Sequence, residues 1–344
     1  MHLNKRQFLA GTAAFAGSAT MWQVSAQGAE PITASHSVNT TIYAAHMVAQ
    51  SQGFTEQEGI QMHVIEAQGG SNVRKILAAG QVGYALGDSS HPLQLTNRGR
   101  ASRILMATDN RCSYANIVVR KELYDQGIDT VEKLAEYRND GNKPNIAATG
   151  IGSGTWVYGT YVLEQLGVAD QFNWIAGGGS KTMLGGLQTA KFDAIMAVPI
   201  WIFEAEDAGY GKLLYDISDA DSWHGVFGGN IPATVVYVLE EAVTLNAELT
   251  QKYVNAIFKA MQWLGDSSTD QIYAAIGPVM PGFDEATVKR EIEYYKKIWQ
   301  FDGAFPQADF DTGAKVWFRE QTKIEPLTYE EVTDMSFLDN AQKA

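Results

Sequence analysis

Segments with a strand pattern and segments with a helix pattern alternate along residues 32–239 of this 344-residue chain. Short apolar or alternating runs predict strands at 32–35, 61–66, 84–86, 104–107, 117–120, 145–148, 192–198, 213–217 and 234–239. Apolar residues at helical spacing lie between them, at 43–52, 73–79, 131–137, 158–166, 182–189 and 202–208. Such alternation predicts an α/β fold in which helices cover parallel sheets.

The pattern changes after residue 245, where only helical segments follow, at 245–264, 270–276, 285–299 and 311–321. Before that point, one unit occurs twice. Gln68-Gly69-Gly70-Ser71 precedes a helix and a strand, and Gly177-Gly178-Gly179-Ser180 precedes a similar pair. A single repeat at this distance predicts two similar lobes rather than a solenoid, whose periods are about 20–50 residues. Chance similarity between glycine-rich units is the alternative.

Composition excludes several classes of protein. The 26 Lys and Arg against 39 Asp and Glu give a net charge of −13, which would repel nucleic-acid phosphates. The single cysteine, Cys112, excludes an intramolecular disulfide and a CxxC metal or redox site. We find no HExxH, GxSxG or complete phosphate-binding loop, so we expect no metal, no cofactor and no catalytic residues.

The first 26 residues have the pattern of an export signal. A basic start at Lys5 and Arg6 precedes an apolar stretch over 8–21 and the small-x-small site Val24-Ser25-Ala26. We therefore predict a signal peptide over 1–26, cleaved after Ala26, and a periplasmic protein. Residues 4–9 resemble a twin-arginine signal with Lys5 in place of the first arginine, so both Tat and Sec export remain open. An amphipathic helix of the mature fold is the alternative.

Three stretches carry a family resemblance. Residues 49–64 (AQSQGFTEQEGIQMHV), 77–85 (LAAGQVGYA) and 187–194 (LQTAKFDA) resemble, in order and spacing, the nitrate/sulfonate/taurine-type substrate-binding proteins of ABC importers. The resemblance implies a type II periplasmic-binding-protein fold with two lobes, each a mostly parallel sheet flanked by helices, and a helical C-terminal tail. It also implies a hinge of two strands, with lobe 1 formed by 31–110 plus 241–344 and lobe 2 by 111–240.

Ligands of open α/β sheets bind beyond the carboxyl ends of the strands, near helix N-termini. Loops at such ends, the first crossover and nearby tryptophans supply the candidate ligand-binding residues: Ser37, Asn39, Thr40, Gly70, Ser71, Asp88, Ser89, Ser90, Arg111, Ser153, Gly154, Thr155, Trp156, Pro199 and Trp201. Free amides around Ser153, Gly154 and Thr155 are predicted to hold an anion. Turns and helix caps explain the same loops equally well. Trp156 and Trp201 could instead pack within their lobe, and Arg111 could form an ion pair beside Asp109.

Together these features predict a solute-binding component of an ABC transporter. It would capture a small organic anion, sulfonate- or taurine-like or an aromatic carboxylate, and deliver it to membrane permease and ATPase subunits. We expect a monomer. The alternatives are an enzyme on the same scaffold, such as a pyrimidine-precursor synthase, and a stand-alone ligand sensor.

Overall fold

The computed structural model describes residues 28–280 and 282–344, so the predicted signal peptide lies outside the described residues. The strands are β1 Glu30–His36, β2 Ile60–Glu66, β3 Tyr84–Asp88, β4 Ser102–Ala107, β5 Asn116–Arg120, β6 Asn145–Ala148, β7 Asn173–Ala176, β8 Ala194–Ala197, β9 Gly211–Tyr215 and β10 Thr234–Leu239. The helices up to β10 are α1 Ala44–Ser51, α2 Phe54–Gln57, α3 Gly70–Ala78, α4 Ser90–Asn97, α5 Lys121–Asp125, α6 Val131–Glu136, α7 Gly154–Gln165, α8 Ser180–Gln188, α9 Pro199–Asp207 and α10 Ala220–Phe227. After β10 come α11 Glu240–Leu245, α12 Ala247–Asp266, α13 Thr269–Ile276, α14 Glu285–Tyr295, α15 Gln307–Trp317, α16 Tyr329–Val332 and α17 Ser336–Ala341.

The strands form two five-stranded sheets, in the orders β2-β1-β3-β10-β4 and β7-β6-β8-β5-β9. We call the first sheet with α1–α4 the first lobe, and the second sheet with α5–α10 the second lobe. In each sheet the fourth strand, β10 or β5, runs antiparallel to both neighbours. The predicted two-lobed α/β fold with mostly parallel sheets is therefore confirmed. The sheets are not purely parallel because one crossing strand enters each of them in the opposite direction.

The two sheets have the same internal order. The strands β1, β2, β3 and β4 occupy in the first sheet the positions that β6, β7, β8 and β9 occupy in the second. The glycine-rich segment after β2 leads into α3, and the segment after β7 leads into α8. The repeat read from the sequence thus corresponds to equivalent units of the two lobes.

The crossing strands lie in the interior. Residues 235–238 of β10 are completely buried, as are Ile117, Val118 and Val119 of β5. Their nearly continuous apolar sequences are typical of strands that are covered on both faces. Each lobe therefore depends, for the centre of its core, on the strand that follows a crossover.

Asp109 joins the two crossovers. Its Oδ1 accepts hydrogen bonds from the backbone N–H of Ala233 at 2.7 Å and of Thr234 at 3.0 Å. Asp109 lies just after β4, and the two amides lie at the start of β10. Burial raises the pKa of the Asp109 carboxyl to about 7, although the two amides lower it. The crossovers therefore meet at one buried carboxyl group.

The C-terminal tail contacts both lobes. Helix α12 packs against α1 of the first lobe, whereas α14 packs against α9 and α15 against α7 of the second. Arg319, which follows α15, pairs with Glu164 and donates to the carbonyl of Val157 at 2.8 Å, both on α7. The predicted assignment of the tail to lobe 1, like the other domain boundaries, stays a prediction.

We predict that Asp109→Asn makes the free energy of unfolding less dependent on pH. Because the folded-state pKa of about 7 exceeds the usual 3.8, the stability contributed by this group is present below pH 3.8. That contribution is lost as the pH rises through about 7. Asparagine keeps an acceptor oxygen for both amides but does not titrate. Urea unfolding at pH 5 and pH 8 should show a smaller difference for the variant than for the wild type, and an equal difference would contradict this role.

Candidate functional site

A cavity lies between the two lobes, at the carboxyl ends of the strands of both sheets. Its volume is about 30 Å³, room for about two water molecules, and part of it is open to solvent. The first lobe and its loops contribute Ser37, Val38, Ile42, Tyr43, Gly70, Asp88 and His91, and the second-lobe side contributes Tyr114, Thr149, Gly154, Thr155, Val198 and Trp201. Clefts in this position are typical sites for small organic ligands.

Asp88, the last residue of β3, is the acidic group of the cavity wall. Its Oδ1 accepts from the N–H of Ser90 at 2.9 Å and from the Ser90 hydroxyl, and its Oδ2 accepts from the hydroxyl of Tyr114. Burial raises the pKa of this carboxyl, and the hydrogen bonds oppose that rise. Three donors therefore fix the carboxyl group and determine which way its free lone pairs face.

Helix α7 begins against this carboxyl group. A Cβ atom at Gly154 would overlap with Oδ2 of Asp88 and would lie 2.6 Å from its Cγ. Only glycine allows this approach of the second lobe to the first. Because the partial positive charge of a helix N-terminus favours an acid, Asp88 already supplies a negative group at this end of α7.

The loop before α7 is held by its own hydroxyl groups. The Ser153 hydroxyl donates to the carbonyl of Gly150 at 2.7 Å and lies 2.9 Å from Oγ1 of Thr155. Oγ1 of Thr155 also accepts from the N–H of Thr149 at 3.0 Å. These bonds close the loop as a turn, so its hydroxyl groups already have partners within the loop.

His91 adds a neutral polar group to the wall. Its Nδ1 lies 3.1 Å from the hydroxyl of Tyr237, while its Nε2 is buried without a hydrogen-bond partner. Burial lowers the pKa of His91 well below its usual value, and nearby Arg74 lowers it further. The ring is therefore neutral at physiological pH, and its Nε2 is available to a ligand.

Aromatic side chains form the apolar part of the wall. Trp201 is 1% exposed, and its Nε1 donates to the hydroxyl of Ser180 at 3.2 Å. Tyr43 and Tyr114 line the cavity from the first lobe and from the first crossover. Rings of this kind suit a flat or apolar ligand body.

The rim of the cavity is closed by contacts between the lobes. Arg74 donates to the carbonyl of Gly152 at 2.8 Å, and Gln94 donates to the same oxygen at 3.0 Å. Outside this rim, two grooves share Arg74, Arg98 and Ile151. The positive groups of this region thus lie beside the cavity and not within its wall.

The structure brings some of the predicted ligand-binding residues together and places others elsewhere. Those that line the cavity are Ser37, Gly70, Asp88, Gly154, Thr155 and Trp201. Those that do not are Asn39, Thr40, Ser71, Ser89, Ser90, Arg111, Ser153, Trp156 and Pro199. Ligand contact by any of them stays a prediction.

Several of the second group have clear structural partners. Asn39 lies 2.7 Å from Nε2 of His36, and Arg111 donates to the carbonyl of Ser218 at 3.3 Å. Trp156 and Ser71 line the two outer grooves. The ion pair between Arg111 and Asp109 that we considered as an alternative does not form.

Sequence reasoning missed seven residues of the cavity lining: Val38, Ile42, Tyr43, His91, Tyr114, Thr149 and Val198. His91 lies in the first turn of α4, directly after the predicted residues Ser89 and Ser90. Tyr114 stands in the crossover beside Arg111, so a polar aromatic residue at a predicted hinge was the available signal.

Within residues 28–280 and 282–344, no group of three or more His, Cys, Asp or Glu is placed to hold a metal ion. The same part of the chain has no helix of the length and apolar character that a membrane span requires.

We predict that Gly154→Ala destabilises the fold by about 1–3 kcal/mol, because the added methyl group overlaps with the fixed Asp88 carboxyl. Gly185→Ala, in α8, is the matched control, since a Cβ there meets no atom within 4 Å. We expect the control to gain roughly 0.5–1 kcal/mol, as alanine is a better helix former. Urea unfolding of both variants measures the two changes. Equal stability of Gly154→Ala and wild type would show that Asp88 is not held against α7.

Comparison with known proteins gives a consistent picture. YtlA of Bacillus subtilis (strain 168), which carries the name of a binding protein, is 21% identical over 270 residues, covering 75% of this chain and 73% of YtlA. A solved structure from Bordetella bronchiseptica RB50 has a TM-score of 0.78 at 21% identity, covering 91% of this chain and 97% of that one.

Three further solved structures belong to proteins that are named by their role. The periplasmic nitrate-binding protein NrtA of Synechocystis PCC 6803 has a TM-score of 0.70 at 13% identity, covering 91% of this chain and 88% of NrtA. The ligand-binding component of an ABC-type import system from Staphylococcus aureus, solved with zinc bound, has a TM-score of 0.69 at 12% identity, covering 92% and 100%. The desulfurization enzyme DszB also has this fold, with a TM-score of 0.63 at 15% identity over 91% and 99%.

A family model matches a large part of the sequence. It covers residues 37–277, from the loop after β1 to the residue after α13, and so includes every strand of both sheets except β1. By this match, the chain belongs to the NMT1-like family.

Proposed function

We propose that this protein is the solute-binding component of an ABC-type importer, which captures a small organic solute between its lobes and delivers it to a membrane permease and its ATPase. The observation that carries the proposal is the cavity between the lobes. Its walls come from both lobes, and two crossovers join these lobes. A solute that touches both walls shifts such a hinge towards its closed form. The ABC-type component among the proteins of similar fold supports the transport role.

The charges around the cavity narrow the solute class. Asp88 accepts hydrogen bonds within the wall, and the cavity lining contains no Lys or Arg. A negative group placed against Asp88 would be repelled, whereas an amine or amide N–H would find an acceptor. We therefore assign the donor group of the solute to the Asp88 side.

The predicted anionic group fits the other side. Thr149 lines both the cavity and the outer groove that contains Arg74, Lys75 and Arg98. A sulfonate or carboxylate at that edge would face these cations. A solute with an amine at one end and a sulfonate or carboxylate at the other, which is the pattern of taurine, satisfies both sides.

The enzyme alternative finds no support in the reactive groups of the described chain. Cys112 is 1% exposed, and burial raises the pKa of its thiol well above the usual value. A thiol in that state is a poor nucleophile. Product analysis after incubation with sulfonates would distinguish the two functions, because a binding protein returns its ligand unchanged.

We predict that taurine raises the thermal midpoint more than ethanesulfonate, which lacks the amine, and more than ethylamine, which lacks the sulfonate. A ligand at 100 times its Kd stabilises by roughly 2.7 kcal/mol, so saturating concentrations give a measurable shift. The screen should include aromatic carboxylates and pyrimidines. Equal shifts from taurine and ethanesulfonate would contradict the donor assignment at Asp88. If none of the solutes raised the thermal midpoint, the capture of such compounds would be contradicted.

Export makes a separate prediction. Residues 1–26 are proposed to be removed, so that the protein recovered from the periplasm begins at Gln27 or within a few residues of it. Intact-mass measurement of the periplasmic fraction checks this. A full-length product in the cytoplasm would overturn both the export and the transport role.

A further inference from the structure

Glu291, on the tail helix α14, joins the two lobes through a single side chain. The residue is completely buried, at 0% exposure. Its Oε2 accepts from the N–H of Thr41 at 3.2 Å, and its Oε1 accepts from the N–H of Ile200 at 3.1 Å. Thr41 belongs to the first lobe and Ile200 to the second, so each carboxyl oxygen contacts a different lobe.

Both amides belong to the walls of the cavity. Thr41 opens the short 3-10 turn Thr41–Tyr43, whose Ile42 and Tyr43 line the cavity. Ile200 lies in the first turn of α9, between Val198 and Trp201, which line the opposite wall. First-turn N–H groups have no acceptor within their own helix. Glu291 supplies that acceptor to both walls and so fixes their separation.

We propose that Glu291 is a positioning residue of the ligand site, a latch that holds the closed arrangement of the two cavity walls. Whichever lobe α14 follows during opening, one of the two hydrogen bonds must break. Through Glu291, helix α14 of the tail therefore takes part in closure. This inference deepens the solute-binding function proposed above, but its test needs no solute.

Closure through this residue should depend on pH. Burial raises the pKa of Glu291 to about 7 from the usual 4.5, although the two amides lower it. A raised pKa means that the closed form binds the proton more tightly than a form in which the carboxyl group reaches water. The contribution to closure is therefore full below pH 4.5 and is lost as the pH rises through about 7.

The charged residues around Glu291 do not account for this pH dependence of closure. The titratable or charged residues on the elements that pack against Glu291 are Tyr43 of the turn, Glu204, Glu206 and Asp207 of α9, Asp270 and Tyr273 of α13, and Glu285, Lys289, Arg290, Glu293, Tyr294 and Tyr295 of α14. Of these acids, Asp207 pairs with Arg290 and Asp270 with Lys289, both at 2.7 Å. Tyr295, one turn from Glu291, has its pKa raised well above the usual value, first by burial and second by Glu291.

Hydrogen–deuterium exchange of the ligand-free protein tests the latch. In Glu291→Gln only one side-chain oxygen can accept, so one of the two amides loses its partner. We expect exchange in segment 38–46 or segment 197–204 to become about tenfold faster, the size expected for a lost hydrogen bond of this strength. Glu293→Gln is the matched control, because Glu293 is exposed on the same helix. Exchange in Glu291→Gln equal to that in Glu293→Gln would overturn the proposal.

Two further readouts separate a latch from a merely structural role. After correction for intrinsic exchange, wild-type protection of both segments should fall as the pH rises from 5.5 to 8. Glu291→Gln should show a smaller fall, since only the contribution of Asp109, which titrates in the same range, remains. Thr41→Pro removes one donor without changing Glu291, and the extended backbone of Thr40 is compatible with a following proline. Faster exchange at 197–204 in Thr41→Pro supports the latch, since the change acts across the cleft. Unchanged exchange there, or a wild-type profile without pH dependence, would contradict it.

Discussion

The hydrogen bonds from Ala233 and Thr234 to Asp109 are the interaction on which the two-lobed arrangement depends. Each sheet contains one strand that arrives through a crossover, and these strands, β5 and β10, lie in the buried fourth position. If the crossovers were free of each other, each lobe could rotate about its own connection. Because the carboxyl group of Asp109, on the first crossover, binds two amides at the end of the second, both connections share a single pivot. Rotation of the lobes about this pivot opens or closes the same cleft.

Much of the fold could be predicted from the sequence, because apolar periodicity reports burial directly. The strand β7 was missed since Asn173–Ala176 is a short edge strand whose residues are exposed or half-buried, which leaves little apolar signal. Helix α4 was missed because it begins with Ser-His-Pro, which suggests a turn rather than a helix. Helix α7 starts at Gly154, earlier than predicted, because it begins with Gly154 and Thr155, two residues of low helix propensity.

Less of the candidate site than of the fold could be predicted from the sequence. The loops at the strand ends could be located, but the partners of their hydroxyl groups depend on how each loop closes. Ser153 bonds within its own turn, and Asp88 reaches across the cleft to Tyr114. Glu291 did leave a signal in the sequence. It shares the buried face of α14 with Val288, Ile292 and Tyr295, and an acid on an apolar helix face requires buried donors.

The position of β10 has a consequence for the order of synthesis and folding. The strands of the second sheet, β5 to β9, come from the continuous segment 116–215, so this sheet can be completed from one stretch of chain. The first sheet needs β10 between β3 and β4, and therefore cannot close until residues 234–239 have been made. Until then β3 and β4 expose unpaired, apolar edges, which are prone to aggregate. The N-terminal lobe is thus the last to mature, and a chaperone that binds extended apolar segments would find its targets there.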